Sequence, residues 1–184
     1  MRYGILSDVH SNLEALEAVL VCLSKERLDR LLCAGDLIGY GADPSPCLQR
    51  LQDNGVQAVC GNHDQAAAGK LIPDWFNPYA RAAVEWTAGR LAAEEKEYLA
   101  QLPLVWKDTH VTVVHATLAE PERFHYVLDA ASARRCMDLQ DTPLAFIGHT
   151  HVPGFFVQEE GEIRFLRNTH LAASDRAKVL VNVG

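Results

Sequence analysis

The chain has 184 residues, 48% of them hydrophobic and 22% charged, which predicts a soluble protein with one domain over 1–184 and a substantial core. Its 17 Lys and Arg against 24 Asp and Glu give a formal charge of -7, which argues against a nucleic-acid groove or an anionic membrane surface as partner. Five cysteines with no Cys-x-x-Cys pair predict reduced, mostly buried thiols, and the Met1-Arg2-Tyr3-Gly4 start shows no signal-peptide stretch, so the expected location is the cytoplasm.

In chain order, Tyr3 to Leu6 reads as a short buried strand, followed by Ser7-Asp8-Val9-His10. Ser11 and Glu14 fit a capping box, and Leu13, Leu16, Leu20 and Leu23 continue at helical spacing, predicting a helix to about Arg27. Leu31 to Ala34 is a second strand, running into the loop Gly35-Asp36-Leu37-Ile38-Gly39-Tyr40-Gly41. Asp43-Pro44 and Ser45-Pro46 start a helix to about Asp53, and Val56 to Cys60 is a third strand. Two such βαβ units imply a parallel, helix-covered sheet.

Gly61-Asn62-His63-Asp64 then turns the chain into another helix. Helices are expected from Asn77-Pro78 to about Arg90 and from Ala93 to Leu102, with Trp75, Phe76, Tyr79 and Trp86 packing as a cap on the sheet. From Leu104 the period changes to strands: Leu104 to Trp106, then His110 to Val114 ending in His115-Ala116. Asp129 to Leu139 reads as a helix and Leu144 to Ile147 as a strand ending in Gly148-His149-Thr150-His151. Phe155 to Gln158 and Glu162 to Leu166 form an expected hairpin, and Val179 to Val183 is a last strand.

Five strand ends thus carry Asp8 and His10; Asp36; Asn62, His63 and Asp64; His115; and His149 and His151. In a mostly parallel sheet such ends converge on one edge. Taken singly, each has an ordinary explanation as a cap, a turn residue or a core histidine. Together, Asp8, His10, Asp36, Asn62, His115, His149 and His151 make seven oxygen and nitrogen ligand candidates with no thiolate, too many for one four-coordinate ion. Two divalent ions sharing Asp36, the lone carboxylate of its loop, would use all seven. That donor set suits Mn²⁺, Fe²⁺, Ni²⁺ or Zn²⁺, with manganese expected to support activity. His110, His125 and His170 have no such context and are read as structural or surface residues.

In order, Asp8-x-His10, Gly35-Asp36-x-x-Gly39, Gly61-Asn62-His63-Asp64, His115 and Gly148-His149-x-His151 resemble the motif set of the calcineurin-like metallophosphoesterases. The small size and the Gly35 to Gly41 loop are similar to the small prokaryotic phosphodiesterase branch related to diadenosine tetraphosphatases. The resemblance implies a four-layer α/β/β/α sandwich with a dinuclear metal centre at the sheet edge. By position it implies Asp8, His10, Asp36 and His151 on one metal, and Asp36, Asn62, His115 and His149 on the other. It implies His63 as the catalytic histidine, oriented by Asp64. Here the fourth segment is His115-Ala116 where the family usually has His-Gly. Relatives also read Asn-Pro-Gly-Ser near Val181-Asn182-Val183-Gly184 and continue through further strands, so a shortened second sheet is expected.

The implied activity is hydrolysis of small, nucleotide-like phosphomono- or phosphodiesters by a hydroxide bridging two cations about 3.5–4 Å apart. The expected partner is a small phosphorylated substrate; membrane and nucleic acid are not expected. A homo-oligomer could form through the open edge of the shortened sheet. Two rivals differ on particular residues. A non-catalytic scaffold of this fold, as in the retromer subunit, lacks the catalytic histidine, which is present here as His63. Protein Ser/Thr phosphatases carry an Asp-Arg element where this chain has Gly39-Tyr40.

Overall fold

The computed structural model describes residues 1–167, 170–172, 174 and 177–184. Three short strands, β1 (Tyr3–Leu6), β2 (Arg30–Cys33) and β3 (Gln57–Ala58), pair in parallel in that order. The crossovers are α1 (Leu13–Leu23) and α2 (Pro44–Asp53). Next come α3 (Asn62–Ala67), α4 (Pro78–Arg90) and α5 (Ala93–Gln101). These five helices bury Leu16, Leu20, Leu48, Leu51, Ala67, Val84 and Leu99 in one cluster with Leu6 and Cys33 of the sheet. Each fully buried aliphatic side chain of this size contributes roughly 1.5–3 kcal/mol over leaving it exposed.

The second sheet is built from β4 (Val105–Lys107), β5 (Val111–Val114), β6 (Leu144–Ile147), β7 (Gly154–Glu159), β8 (Glu162–Leu166) and β9 (Lys178–Asn182). Its order is β4-β5-β6-β9-β7-β8, with β5, β6 and β9 parallel and the other pairings antiparallel. Leu32 of the first sheet, with Ala34 and Val59 just past the ends of β2 and β3, meets Val111 and Val113 from the second. The far face of the second sheet is covered by α6 (Ala130–Asp138), through Ala133, Cys136 and Met137 against Ala145, Ile147 and Leu180. The layers are therefore helix, sheet, sheet, helix, the expected α/β/β/α architecture. None of the described helices is long and apolar enough to cross a membrane.

Several local expectations are corrected. The cap of α1 is Asn12, whose side chain accepts from the Ala15 N–H at 3.0 Å. Ser11 instead sits in the left-handed region at φ 58°, and its Oγ accepts the Gly39 N–H at 3.1 Å. The helix ends at Leu23 because the chain turns at once to bring Asp29 onto the Arg2 carbonyl and feed β2. β3 is two residues long, since the Cys60 N–H leaves the ladder for the Pro103 carbonyl. Of the four aromatics expected to cap the sheet, only Phe76 is buried. Trp75 is 50% exposed and Tyr79 86%, while Trp86 lies under the Arg90 guanidinium at 4.7 Å. The last strand is not an edge: β9 is paired on both sides, and β4 and β8 are the outer strands.

Candidate metal centre

Five of the nine predicted site residues have left-handed backbones: Asp8 (φ 53°), His10 (49°), Asp36 (52°), His149 (68°) and His151 (56°). For an L-residue this costs roughly 1–2 kcal/mol, and such strain persists only where neighbours enforce it. Here the loop after β1 is laced to the loop after β2. The Asp8, His10 and Ser11 N–H groups donate to the Gly35, Asp36 and Leu37 carbonyls at 3.0, 3.0 and 3.2 Å. The Gly148 N–H donates to the His115 carbonyl at 2.8 Å, tying the ends of β5 and β6 together. Parallel strands from both sheets thus deliver their carboxyl ends to one edge, as open α/β folds do.

The side chains meet there. His151 Nε2 lies 3.2 Å from Asp8 Oδ1, and His10 Nε2 lies 3.1 Å from His151 Nε2. His115 Nε2 lies 3.1 Å from His149 Nδ1 and 3.2 Å from Asn62 Oδ1. Between these two groups stands Asp36, whose Oδ2 is 3.6 Å from His10 Nε2 and 3.3 Å from His115 Nε2. Its other oxygen, Oδ1, accepts the His63 backbone N–H at 3.0 Å. Gly61 is required for that approach, because a Cβ there would come within 2.0 Å of Asp36 Oδ1. All seven residues expected as ligands are therefore in one cluster.

These residues fit a metal-ligand role by their own chemistry. The His115 Nδ1–H donates to the Ala34 carbonyl at 2.8 Å, which turns Nε2 toward Asp36, Asn62 and His149, where its proton would be given up to a bound cation. His10 Nδ1 faces the Ile38 carbonyl at 3.3 Å in the same way. Ring tautomers fixed from behind are the usual support of metal-binding histidines. Two pairs of imidazole nitrogens then confront each other at 3.1 Å beside carboxylates, an arrangement a shared cation satisfies. Asp8 is steadied by the Ser7 hydroxyl at 2.6 Å and by the His149 N–H at 3.1 and 3.2 Å. Among the described residues, three sets have donor atoms close enough to hold an ion: Asp8, His10 and His151; His10, Asp36 and His63; and Asp36, His115 and His149.

Electrostatics follow from the burial. Burial opposes charge on His115, but the Asp36 carboxylate outweighs it and holds the imidazole up to about 9. Burial would raise the Asp36 carboxyl, yet His115 and His10 hold it well below the usual range. Burial lowers His10, and brings His63 and His149 down to about 4, so both of the last two rings are neutral near pH 7. The hydrogen bond to Asp8 raises the half-exposed His151.

The expected role of Asp64 is corrected. Its Oδ1 accepts the Leu37 and Ile38 N–H groups at 2.9 and 3.3 Å, and its Oδ2 accepts the Gly61 N–H at 2.9 Å. Among the described residues none of its hydrogen bonds reaches the His63 ring, whose Nδ1 is buried there without a partner. Asp64 instead staples the start of α3 to the Gly35–Gly41 loop. Burial, with the charge of Asp36 behind it, pushes its carboxyl up to about 7 against those three donors. His63 is held by packing, with ring centroids 4.7 Å from Tyr40, 4.9 Å from His10 and 4.9 Å from Phe76. Gly39, at φ 102°, is needed here, because a Cβ would sit 2.5 Å from His63 Nδ1.

Over the cluster opens a cleft of about 810 Å³ lined by Asp8, His10, Tyr40, Asp43 and His151. The family model for the calcineurin-like phosphoesterase superfamily domain matches residues 1–184. The chain belongs to that superfamily. It is 34% identical over 190 residues to an uncharacterized protein of Methanocaldococcus jannaschii, a match covering 98% of this chain and 74% of that protein. A crystal structure of a metallophosphoesterase from Sphaerobacter thermophilus superposes with a TM-score of 0.81 at 37% identity, over 99% of this chain and 75% of that one. A hypothetical protein from Pyrococcus horikoshii, at 18% identity and TM-score 0.71 over 82% and 70%, shares the fold. As a calcineurin-like phosphoesterase the chain is a metal-dependent phosphoester hydrolase, and its His and Asp clusters are the candidates for divalent metal.

Some site residues escaped the sequence reading. Ser7 and Ser11 flank the motif residues and hold Asp8 and the Gly39 N–H, but a serine in a turn carries no distinctive pattern. Tyr126 stacks on His149 at 4.1 Å and 17°, from an irregular stretch with no periodicity to place it. His110, His125 and His170 lie exposed and join none of the ligand sets among the described residues.

Proposed function

We propose that this chain is a dinuclear, metal-dependent phosphoesterase of the cytoplasm, acting on small, nucleotide-like phosphomono- or phosphodiesters. The observation that carries it is Asp36, buried and set between two histidine groups with one oxygen anchored and the other facing both. Asp8, His10, Asp36 and His151 would hold one ion, and Asp36, Asn62, His115 and His149 the other. Two divalent ions there would supply Lewis-acid polarisation of the phosphoryl oxygens and a water of lowered pKa.

The chain's own residues do the rest. Ser7 and the His149 N–H keep Asp8 pointed at the cluster. The His63 N–H fixes Asp36, so one residue both orients the bridge and presents an imidazole beside it. His63 Nδ1 is sealed against Gly39, which leaves Nε2 to donate a hydrogen bond to a phosphoryl or leaving-group oxygen. The all-N/O donor set fits Mn²⁺, Fe²⁺, Ni²⁺ or Zn²⁺, and we take manganese as the ion that supports activity.

The test is turnover of bis-p-nitrophenyl phosphate and p-nitrophenyl phosphate by protein loaded with each of these ions. Activity with manganese, abolished by chelation and restored on re-addition, is the expected result. No turnover of either ester with any of the four ions would leave the scaffold reading in its place.

A further inference from the structure

Aromatic rings stand at both ends of the row His10, Asp36, His115, His149. At one end Tyr40 lies edge-on to His10 at 4.8 Å and tilted over His63 at 4.7 Å, yet it is 48% exposed. Behind it the rings continue through His63 to Phe76 and on to the half-exposed Trp75, at 4.9 and 4.7 Å. At the other end Tyr126 lies nearly parallel to His149, with one face packed and the residue still 51% exposed. Tyr126 opens on a separate cleft of about 420 Å³ that it lines with Glu120, His125 and Arg135, and Tyr40 opens on the larger one above the cluster.

Neither tyrosine is explained by folding. A core ring would be buried on both faces, since that is where its free energy of burial lies. Tyr40 also has a left-handed backbone at φ 48°, a conformation that a tyrosine adopts at a cost. Strain of that kind collects where a side chain must be presented to a ligand. A free aromatic face beside a phosphoryl site offers stacking to a planar ring, and every nucleobase has such a face whatever its hydrogen-bonding edge.

We propose that Tyr40 and Tyr126 are specificity residues that take a planar aromatic arm of the phosphoester, a nucleobase or an aryl group, in preference to an aliphatic one. This rests on the phosphoesterase reading above and adds the chemistry of the group attached to the phosphoryl. No contact with a base edge is required, so purine and pyrimidine arms are accepted alike.

The experiment compares adenosine 5′-monophosphate with ribose 5-phosphate, which share the phosphoryl group and differ by the base. Binding to the manganese-loaded full chain is measured by calorimetry, for wild type, Tyr40→Leu, Tyr126→Leu and Tyr126→Phe. Wild type is expected to bind the nucleotide about tenfold or more tighter, in line with one stacked base. Tyr126→Leu and Tyr40→Leu should each reduce that ratio severalfold, because any effect on the phosphoryl site falls on both ligands and cancels in the ratio. Tyr126→Phe, which keeps the ring, should retain the ratio. Equal affinities in wild type, a ratio unchanged in both Leu variants, or no detectable nucleotide binding would overturn the proposal. Failure of the phosphoesterase reading shows differently: ribose 5-phosphate would then bind no better with manganese than without it.

Discussion

At the residue scale, Asp64 and His63 are neighbours with separable jobs. Asp64 accepts three backbone N–H groups and is fully buried, so Asp64→Ala should leave those donors unsatisfied. A cost of about 1–3 kcal/mol in urea unfolding is expected, with loss of activity because the loop bearing Asp36 is released. His63→Ala removes a buried ring held by packing and by no side-chain hydrogen bond among the described residues, so stability should fall with the lost packing while metal content should not change. Its turnover should fall about 10²–10³-fold, the usual effect of deleting one donor to developing charge. Metal lost from His63→Ala, or its turnover unchanged, would contradict this division of labour. The motif pattern singled out both residues, since each follows a buried strand and a glycine. It could not separate their roles. That depended on where the Leu37 and Ile38 amides lie, a fact of tertiary folding and not of spacing.

At the element scale, the cap of α1 is the clearest case of a signal read one residue early. Ser11 and Asn12 both suit an N-cap, and the choice was made by the demand of the site for the Ser11 hydroxyl at Gly39. Asn12→Ala should cost about 1 kcal/mol and leave activity intact. Ser11→Ala should instead impair turnover through the Gly35–Gly41 loop. Thermal unfolding alongside the esterase assay distinguishes the two. The sequence pattern located β1, β6 and the β7–β8 hairpin nearly residue for residue, because β1 and β6 alternate in burial and Glu159-Glu160-Gly161 marks the hairpin turn. The place of β9 between β6 and β7 was not legible, because strand order depends on crossovers that leave no local pattern. That place also removes the reason for pairing through β9. The outer strands are β4, only three residues long and ending in Lys107, and β8, carrying Glu162 and Arg164. Short and charged edges resist pairing, and the chain is expected to sediment as a monomer at micromolar concentration. A concentration-dependent dimer would show that another surface associates.

At the scale of the whole molecule, the two sheets share one apolar interface, and we take residues 1–184 as one domain that unfolds in a single transition. Its thiols report on that state. Cys33, Cys47, Cys60 and Cys136 are buried and Cys22 is exposed. Burial pushes the Cys47 thiol up to about 12 and raises the other three, so at pH 8 all four stay protonated while folded. A thiol reagent at pH 8 should therefore label Cys22 rapidly and the remaining four only on unfolding. Rapid labelling of more than one thiol in native protein would mean that the core opens readily.

The central claim is that Asp36 joins two ions in one site, and metal stoichiometry tests it most directly. Wild type and Asp36→Asn, each reconstituted with manganese and freed of excess, are compared by elemental analysis. The account predicts two ions per chain in wild type and loss of both, together with turnover, in Asp36→Asn. One ion or none in wild type, or two retained by Asp36→Asn, would contradict it.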